Sequence, residues 1–259
     1  MLFKNCNNCI IVLLLLILIY FIFKKNTNET FSINNPKVAI LIISAESERW
    51  NIEKQLWKKY ADKFPNIKCF FIECDSSENF ETLSLKCTEN YIPGIYQKSL
   101  NSLKEIGDDF DFYIRGNLST FYIFEYLNLY LQNIPQDIPI HTGGKIWESN
   151  QDLFVSGTSI VLNKLARNEL IKYGFETKYY ENTSIPDDVL ISKVLLEHNI
   201  KISENTQTDN LYLWDYNKSY DFNLQNVKEN KHPFIRLKTE NTVQYKEISD
   251  KLYDEYYNS

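Results

Sequence analysis

Residues 37–44 read Lys-Val-Ala-Ile-Leu-Ile-Ile-Ser, and this stretch decides the fold class. A short, unbroken apolar run that ends at a polar residue predicts a strand buried on both faces, as in parallel sheets. Residues 67–72 (IKCFFI) and 110–114 (FDFYI) repeat the pattern, and segments with helical spacing separate the three. This alternation predicts an α/β fold with a mostly parallel central sheet and helices on both faces. Ligands of such sheets bind beyond the carboxyl ends of the strands.

Further elements are predicted along the rest of the chain. Helical spacing is found in five segments: residues 47–63, 80–106 with a break at 92–94, 121–131, 165–173 and 187–198. Strands are predicted in three places: residues 152–162 as two strands around a tight turn, 200–203 and 234–238. Apart from the last of these strands, the chain after residue 205 lacks clear periodicity and is predicted to be irregular.

The N-terminal residues differ from the rest of the chain. Residues 10–23 are apolar without a break, and at ~1.5 Å per residue they fall short of the ~30 Å hydrocarbon core of a bilayer. Lysines at positions 24 and 25 extend their reach, and no small-residue cleavage pattern follows, which favours an uncleaved signal-anchor over a cleaved signal peptide. We therefore expect a transmembrane segment within residues 1–25, a polar stem over 26–36 and a catalytic domain over 37–259. The flanking charges leave the orientation open, so we expect a single-pass membrane protein whose domain is lumenal (ER- or Golgi-like) or virus-associated.

Composition and charge exclude several classes of protein. With 28 Lys and Arg against 34 Asp and Glu, the net charge is −6, which argues against a nucleic-acid partner because phosphate binding needs a basic surface. The five cysteines have no histidine at a zinc-site spacing, so a structural zinc site is not expected. Cys74 and Cys87 can pair if the domain is lumenal.

Polar residues at the ends of the first and third strands are the candidates for nucleotide binding. They are Ser44, Glu46, Arg49, Arg115, Gly116 and Asn117. Gly116 permits close approach of a ligand to the backbone, and Arg115 can meet a diphosphate. Each strand end also has a purely structural explanation. After the first strand, a serine caps the turn into the next helix; after the third, Ser119 caps the next helix and Arg115 is a surface residue.

A second group of candidates lies in the later half of the chain. It comprises the turn Ser156, Gly157 and Thr158, the carboxylates Asp187 and Asp188, the loop residue Trp147 and the alternating cations Arg236 and Lys238. Adjacent carboxylates at a helix start are stabilised as anions by the helix dipole, and such an anion can take a proton from a hydroxyl. Trp147 either stacks on an acceptor sugar or packs within the protein. The cations either hold a phosphate or face solvent on an edge strand, and a helix cap explains one of the two carboxylates.

The order of these motifs resembles a known family more than any single motif does. A short anchor and stem precede S-A-x-x-x-R-W at residues 44–50, an E-N-Y…K-S segment at 89–99, the third strand with its polar motif, S-G-T at 156–158 and D-D-V at 187–189. This order resembles the galactosyltransferase/Fringe-like group of A-type glycosyltransferases over about residues 37–202. The R-x-N-L-S motif at residues 115–119 is similar to that of predicted glycosyltransferases of large DNA viruses.

The resemblance implies a GT-A (Rossmann-like) fold and an inverting transfer from a UDP-sugar to a glycan or glycoprotein acceptor. It implies that Ser44 and Arg49 bind the uridine part, that the S-G-T turn lies near the transferred sugar and the acceptor, and that Asp188 is the catalytic base.

One departure from the family pattern concerns the metal. The family's D-x-D motif should follow the third strand, where Arg115-Gly116-Asn117 stands instead; Asp109 and Asp111 lie at the other end of that strand. Either Asn117 and His232 support a weak divalent site for Mn or Mg, or Arg115, Arg236 and Lys238 stabilise the leaving diphosphate directly. We favour reduced or absent metal dependence. The alternative function is a catalytically inactive GT-A-like surface protein that binds glycans or a partner.

Overall fold

The structure is a computed structural model that describes residues 35–45, 47–75, 82–87, 89–149, 152–203 and 210–258. The chain divides into two units, Met1–Asn35 and Pro36–Ser259, and almost all described residues belong to the second. The predicted anchor at residues 10–23 and most of the predicted stem lie outside the described residues. Within the described ranges, no helix combines the length and the apolar character needed to cross a membrane.

The second unit contains eleven strands and eight helices among the described residues. The strands are β1 (Val38–Ile43), β2 (Ile67–Cys74), β3 (Thr82–Leu85), β4 (Phe112–Asn117), β5 (Thr120–Tyr122), β6 (His141–Gly143), β7 (Ile146–Ser149), β8 (Asp152–Val155), β9 (Ser159–Asn163), β10 (Leu211–Leu213) and β11 (Phe234–Arg236). The helices are α1 (Glu48–Tyr60), α2 (Gly94–Glu105), α3 (Phe124–Gln132), α4 (Lys164–Gly174), α5 (Thr177–Tyr180), α6 (Asp187–Glu197), α7 (Tyr220–Asn230) and α8 (Thr242–Tyr257).

The central sheet has six strands in the order β3-β2-β1-β4-β9-β6. Strands β1 to β4 are mutually parallel, β9 runs antiparallel to β4, and β6 runs antiparallel to β9. In this register Ile43 lies beside Ile72 of β2 and Asn117 of β4, so these strands reach the same edge of the sheet. The predicted α/β class with a mostly parallel sheet is confirmed. The polar residues that follow the parallel strands are brought to this carboxyl edge.

Apolar side chains leave the sheet on both faces, as the continuous runs predict. On one face, alternate residues of β1 pack with Trp57 and Tyr60 of α1 and with Leu252 of α8. On the other face, the intervening residues pack with Leu100 of α2 and Leu195 of α6. Burial of each such side chain stabilises the fold by roughly 1.5–3 kcal/mol.

Two smaller sheets border the central one. Strands β10, β11 and β5 form a three-stranded sheet in which Arg236 of β11 lies opposite Thr120 of β5. Strands β7 and β8 form an antiparallel hairpin. The predicted pair of strands at residues 152–162 is confirmed as β8 and β9, but these strands belong to different sheets.

The predicted helix over residues 80–106 is wrong in its first part. Residues Thr82–Leu85 form β3, which extends the central sheet beside β2, and α2 begins only at Gly94. A disulfide between Cys74 and Cys87 joins the end of β2 to the chain after β3, as the possible pairing anticipated. The alternation of Thr82-Leu-Ser-Leu is a strand pattern whose pairing with β2 outweighs the helical spacing downstream.

The prediction of an irregular tail is also wrong, because α7 and α8 lie there. The buried positions of α8 are Tyr245, Ser249 and Leu252, which follow helical spacing with few aliphatic residues. Tyr257, near the end of this helix, stacks on Tyr60 of α1. The packed face of this helix consists largely of tyrosines, which a hydropathy pattern does not score as apolar. The predicted strand at residues 200–203 is reduced to an isolated bridge at Ile202.

Candidate functional site

Arg115 is the central cation of the carboxyl edge. Its side chain is 5% exposed, and its Nη2 lies 2.8 Å from Oδ2 of Asp187 at the start of α6. Its Nη1 donates to Oδ1 of Asn117 at 2.8 Å and also to the carbonyl of Gly157. The Nε–H group is buried and has no acceptor among the described residues. The arginine thus ties β4 to α6 and to the turn between β8 and β9, with one donor unused.

Asp188 lies on the other side of the same turn. Its Oδ2 accepts a hydrogen bond from the Gly157 N–H at 3.0 Å, and its Oδ1 accepts from the N–H of Val189 at 3.0 Å. Asp188 is only partly buried, and no described cation forms an ion pair with it. The N-cap residue of α6 is Pro186, and no side-chain capping bond is made there. The sequence therefore positions two carboxylates in the first turn, of which Asp188 keeps solvent access and is free of a cation.

Asp187 differs from its neighbour in burial and in partner. Burial raises the pKa of the Asp187 carboxyl, and the Arg115 guanidinium opposes this shift. Its carboxylate is already engaged by Arg115 at 2.8 Å, so Asp187 holds the arginine in position, and this pairing does not favour the predicted contact of Asp187 with substrate.

The two glycines of the predicted motifs leave room for this arrangement. A Cβ on Gly157 would lie 2.8 Å from Nη1 of Arg115 and 3.3 Å from Oδ2 of Asp188. A Cβ on Gly116 would lie 2.3 Å from the Tyr122 hydroxyl. A larger residue at either position would require the Tyr122 or Arg115 side chain to shift, and Gly157 in particular lets Arg115 approach its carbonyl while Asp188 approaches its N–H.

The rest of the predicted turn is held by its own hydroxyl groups. The hydroxyls of Ser156 and Thr158 are 2.8 Å apart, and the Thr158 carbonyl accepts a hydrogen bond from Tyr122 at 3.2 Å. Thr158 is buried and Ser156 is partly exposed. Of the two hydroxyls, that of Ser156 is thus the one placed to meet a ligand.

Ser44 is brought to the edge but is fully enclosed. Its hydroxyl donates to Oε1 of Glu73 at 2.7 Å, and its carbonyl accepts from Nζ of Lys98 at 2.6 Å. Glu73 also pairs with Lys54 at 2.8 Å, where both side chains are at most 2% exposed. The predicted contact of Ser44 with a ligand is therefore not favoured, because the residue organises the turn after β1 from below.

The sequence reasoning missed this buried ionic layer. Lys54 lies on α1 four residues after Trp50 and three before Trp57, so it shares their side of the helix. Glu73 follows Phe71 with the alternation of β2, which directs both to one face. A charged residue at a position where the helical spacing of α1 or the alternation of β2 predicts a buried side chain was the signal that could have revealed this ion pair.

The predicted cations Arg236 and Lys238 do not share an environment. Nη1 of Arg236 donates to the Thr120 hydroxyl at 3.3 Å, and burial together with the nearby Arg115 charge lowers the pKa of Arg236. Strand β11 ends at Arg236, and Lys238 is exposed beyond it. Arg236 is therefore the cation that adds positive potential beside Arg115.

The predicted metal pair is not brought together. The antiparallel register places Arg236 opposite Thr120, near the end of β4, whereas His232 precedes the far end of β11 and packs its ring against Tyr212. In the described ranges, no three His, Cys, Asp or Glu side chains form a group that could hold a metal ion. The carboxylate of Asp187 is already paired with Arg115, so the described residues near Asn117 do not fit a divalent cation.

Trp147 lies on the β7–β8 hairpin with 44% exposure, and the Lys145 ammonium lies 4.8 Å from its ring centroid. Its exposure leaves the predicted stacking role open. Glu46 lies outside the described residues, and the structure describes the backbone of Arg49 in α1 but not its side chain.

The chain is similar in structure to several solved proteins. No protein-family profile and no curated protein sequence matches the chain. A glycosyltransferase involved in glycosylation of the major capsid of PBCV-1 is similar with a TM-score of 0.48 and 12% identity, covering 83% of this chain and 100% of that one. Mouse xyloside xylosyltransferase 1 gives 0.44 and 9%, covering 77% and 97%. The catalytic domain of Drosophila β1,4-galactosyltransferase 7 gives 0.40 and 10%, covering 66% of each chain.

Proposed function

We propose that the chain is a glycosyltransferase with a GT-A-type fold that moves a sugar from a nucleotide-sugar donor, a UDP-sugar, to a glycan or glycoprotein acceptor. One observation carries the proposal: Arg115 and Asp188 bind the same residue at the carboxyl edge of the sheet, since Arg115 donates to the Gly157 carbonyl and Asp188 accepts from the Gly157 N–H. A cation suited to a diphosphate and a carboxylate suited to a hydroxyl therefore lie within one site, where open α/β sheets bind ligands.

The proposed reaction is a single in-line displacement that inverts the anomeric carbon. Asp188 takes the proton of the acceptor hydroxyl, whose oxygen forms the new bond to the anomeric carbon. The bond from that carbon to the diphosphate oxygen breaks, and the electron pair leaves with the nucleoside diphosphate. Both Asp188 oxygens already accept an N–H hydrogen bond, which orients the carboxylate, and each keeps a further lone pair for the proton.

Stabilisation of the departing diphosphate is assigned to protein cations. The unused Nε–H of Arg115 is a buried donor, and a phosphate oxygen is the acceptor that matches a guanidinium best. Arg236 adds positive potential from β11, since it lies close enough to Arg115 for the two charges to repel and lower the pKa of Arg236 beyond the effect of burial. No step is routed through a metal ion because the described residues do not fit one, and we expect the rate to be the same in excess chelator.

The alternative, an inactive GT-A-like binding protein, makes a different use of the same residues. It requires the edge carboxylates to be neutralised by cations, and Asp187 fits that description through Arg115. Asp188 does not, because its described partners are backbone N–H groups. This difference between adjacent carboxylates favours the enzyme.

The test is release of UDP from a panel of UDP-sugars by the purified full-length chain, with water or added glycans as acceptors. Turnover that is lost in Asp188→Asn while UDP still binds supports the proposal. Binding of glycans without binding of any nucleotide overturns it in favour of the alternative.

The membrane anchor over residues 10–23 remains part of the proposal. A disulfide between Cys74 and Cys87 is consistent with an oxidising compartment, which supports a domain that is lumenal or virus-associated. Fractionation of the full-length chain with membranes after a carbonate wash tests this assignment.

A further inference from the structure

Glu89 is a carboxylate fixed in place at the carboxyl edge but not covered. It lies in the loop before α2, where its Oε1 accepts from the N–H of Cys74 at 3.0 Å. Both of its oxygens accept from Nζ of Lys98, at 2.6 and 2.7 Å. Lys98 is 2% exposed, whereas Glu89 is 41% exposed. The ion pair is therefore buried on the lysine side and open to solvent on the carboxylate side.

The location of Glu89 relates it to the proposed catalytic residues. Lys98 also donates to the carbonyl of Ser44, directly after Ile43, and Ile43 pairs with Asn117 of β4. Since β2 and β4 lie on either side of β1, their ends are about 10 Å apart at a strand spacing of ~4.8 Å. Glu89 lies at the β2 end and Arg115 on β4. This separation matches the scale of a nucleoside diphosphate laid across the edge.

Glu89 and Asp188 also lie toward the same face of the sheet. Lys98 belongs to α2, whose apolar residues pack in one cluster with those of α6, the helix that carries Asp188. Burial lowers the pKa of Lys98, its bonds to Glu89 and the charge of Glu73 oppose this shift, and the charge of Arg115 adds a smaller lowering, as a neighbouring cation does. A donor with its diphosphate at Arg115 therefore directs its nucleoside toward Glu89.

The hydrogen-bond acceptor positions that Glu89 has left indicate which kind of ligand group it can bind. An ionised carboxylate has about four lone-pair positions, and three are used by Lys98 and Cys74. What remains is an oriented acceptor that faces solvent and cannot donate. About one acceptor position therefore remains, and either of the neighbouring hydroxyls of a ribose can donate to it. We propose that Glu89, held by Lys98, recognises the ribose diol of the nucleotide donor; this inference rests on the proposed function.

Nucleotide binding to the unaltered chain tests the inference without any question of misfolding. Isothermal titration calorimetry compares UDP with 2′,3′-dideoxy-UDP, and the matching guanosine pair covers a chain that takes a GDP-sugar. A hydrogen bond to a charged acceptor corresponds to roughly tenfold to hundredfold in affinity, so the dideoxy compound should bind at least about tenfold more weakly. Equal binding overturns the role of Glu89 and leaves the proposed function standing. Binding of no nucleotide overturns both.

A variant pair then assigns the preference to the residue. In Glu89→Gln we expect the ratio of the two affinities to fall below about threefold while UDP still binds, because the charge assistance is lost. A purely structural role would weaken both nucleotides alike and leave the ratio unchanged, which would overturn the assignment. Glu105→Gln is the matched control, since this exposed glutamate belongs to α2 but lies at its opposite end; its ratio should equal that of the unaltered chain.

Discussion

The two adjacent carboxylates of α6 allow the proposed mechanism to be separated from a structural role by one pair of isosteric substitutions. Asp188→Asn removes the proton acceptor but keeps an oxygen for the Gly157 N–H. Loss of a general base costs about 10²–10⁴ in turnover, or roughly 3–5 kcal/mol in the activation barrier. Weakening one charge-assisted hydrogen bond costs only about 1 kcal/mol in stability, which lowers Tm by roughly 2–4 °C for a domain of this size.

Asp187→Asn should lower the stability of the fold more than Asp188→Asn does, and should lower turnover less. The substitution leaves the buried Arg115 without its carboxylate, and a buried charge that loses its partner costs about 3–5 kcal/mol. Burial already raises the pKa of Asp187, so removing its charge also relieves a desolvation cost, and we expect a net destabilisation of about 2 kcal/mol. Turnover should fall much less than in Asp188→Asn.

The assay is UDP release under saturating donor, with urea unfolding measured on the same preparations. Calorimetry should find UDP bound by the Asp188 variant as tightly as by the unaltered chain. The reasoning is refuted if Asp188→Asn keeps more than about a tenth of the turnover, or if both variants lose turnover equally.

Three further predictions concern the framework of the site. Lys54→Met should destabilise the fold by about 3–5 kcal/mol, since the buried Glu73 would lose the cation that compensates its charge, and adding Glu73→Gln should restore part of this loss in a double-mutant cycle followed by urea unfolding. Replacing Cys74 and Cys87 together by serine should cost about 3 kcal/mol, the value for a closed loop with a sequence separation of 13, and added reductant should lower the stability of the unaltered chain but not of this variant. Burial lowers the pKa of His141 from 6.5 to about 3, so between these two pH values the unfolded chain binds a proton that the folded chain does not. The contribution of His141 to the free energy of unfolding should therefore be fully present above pH 6.5 and fall by about 1.4 kcal/mol per pH unit as the pH drops toward 3, and the slope should be flatter in His141→Gln.

The parts of the fold that were predictable are those encoded in local patterns. The apolar run of β1 and the start of α6 are readable because their residues act through spacing within one segment. The neighbourhood of Asp188 and Gly157 was expected from motif order, and the structure supplies the hydrogen bond that joins them. The parallel pairing of β3 could not be foreseen, because its partner lies outside the local window and its four residues carry little signal.

The buried charges show where local reasoning ends. Lys98 meets Ser44 across 54 positions of sequence, so neither residue alone reveals the contact. Ser44 is predicted to touch a ligand, and in the structure its hydroxyl and its carbonyl are engaged by Glu73 and Lys98, while Glu89 keeps an exposed carboxylate. A lysine at a core position of a helix indicates that a carboxylate must lie nearby, but only the fold identifies which one.

The central claim is that a nucleotide sugar lies across the carboxyl edge with its diphosphate beside Arg115 and its anomeric carbon near Asp188. A crystal structure of the full-length chain soaked with UDP tests this most directly. The account predicts a diphosphate oxygen within hydrogen-bond distance of the Arg115 guanidinium and the ribose toward Glu89. UDP bound on another surface, or bound here with its phosphates directed away from Arg115, would contradict it.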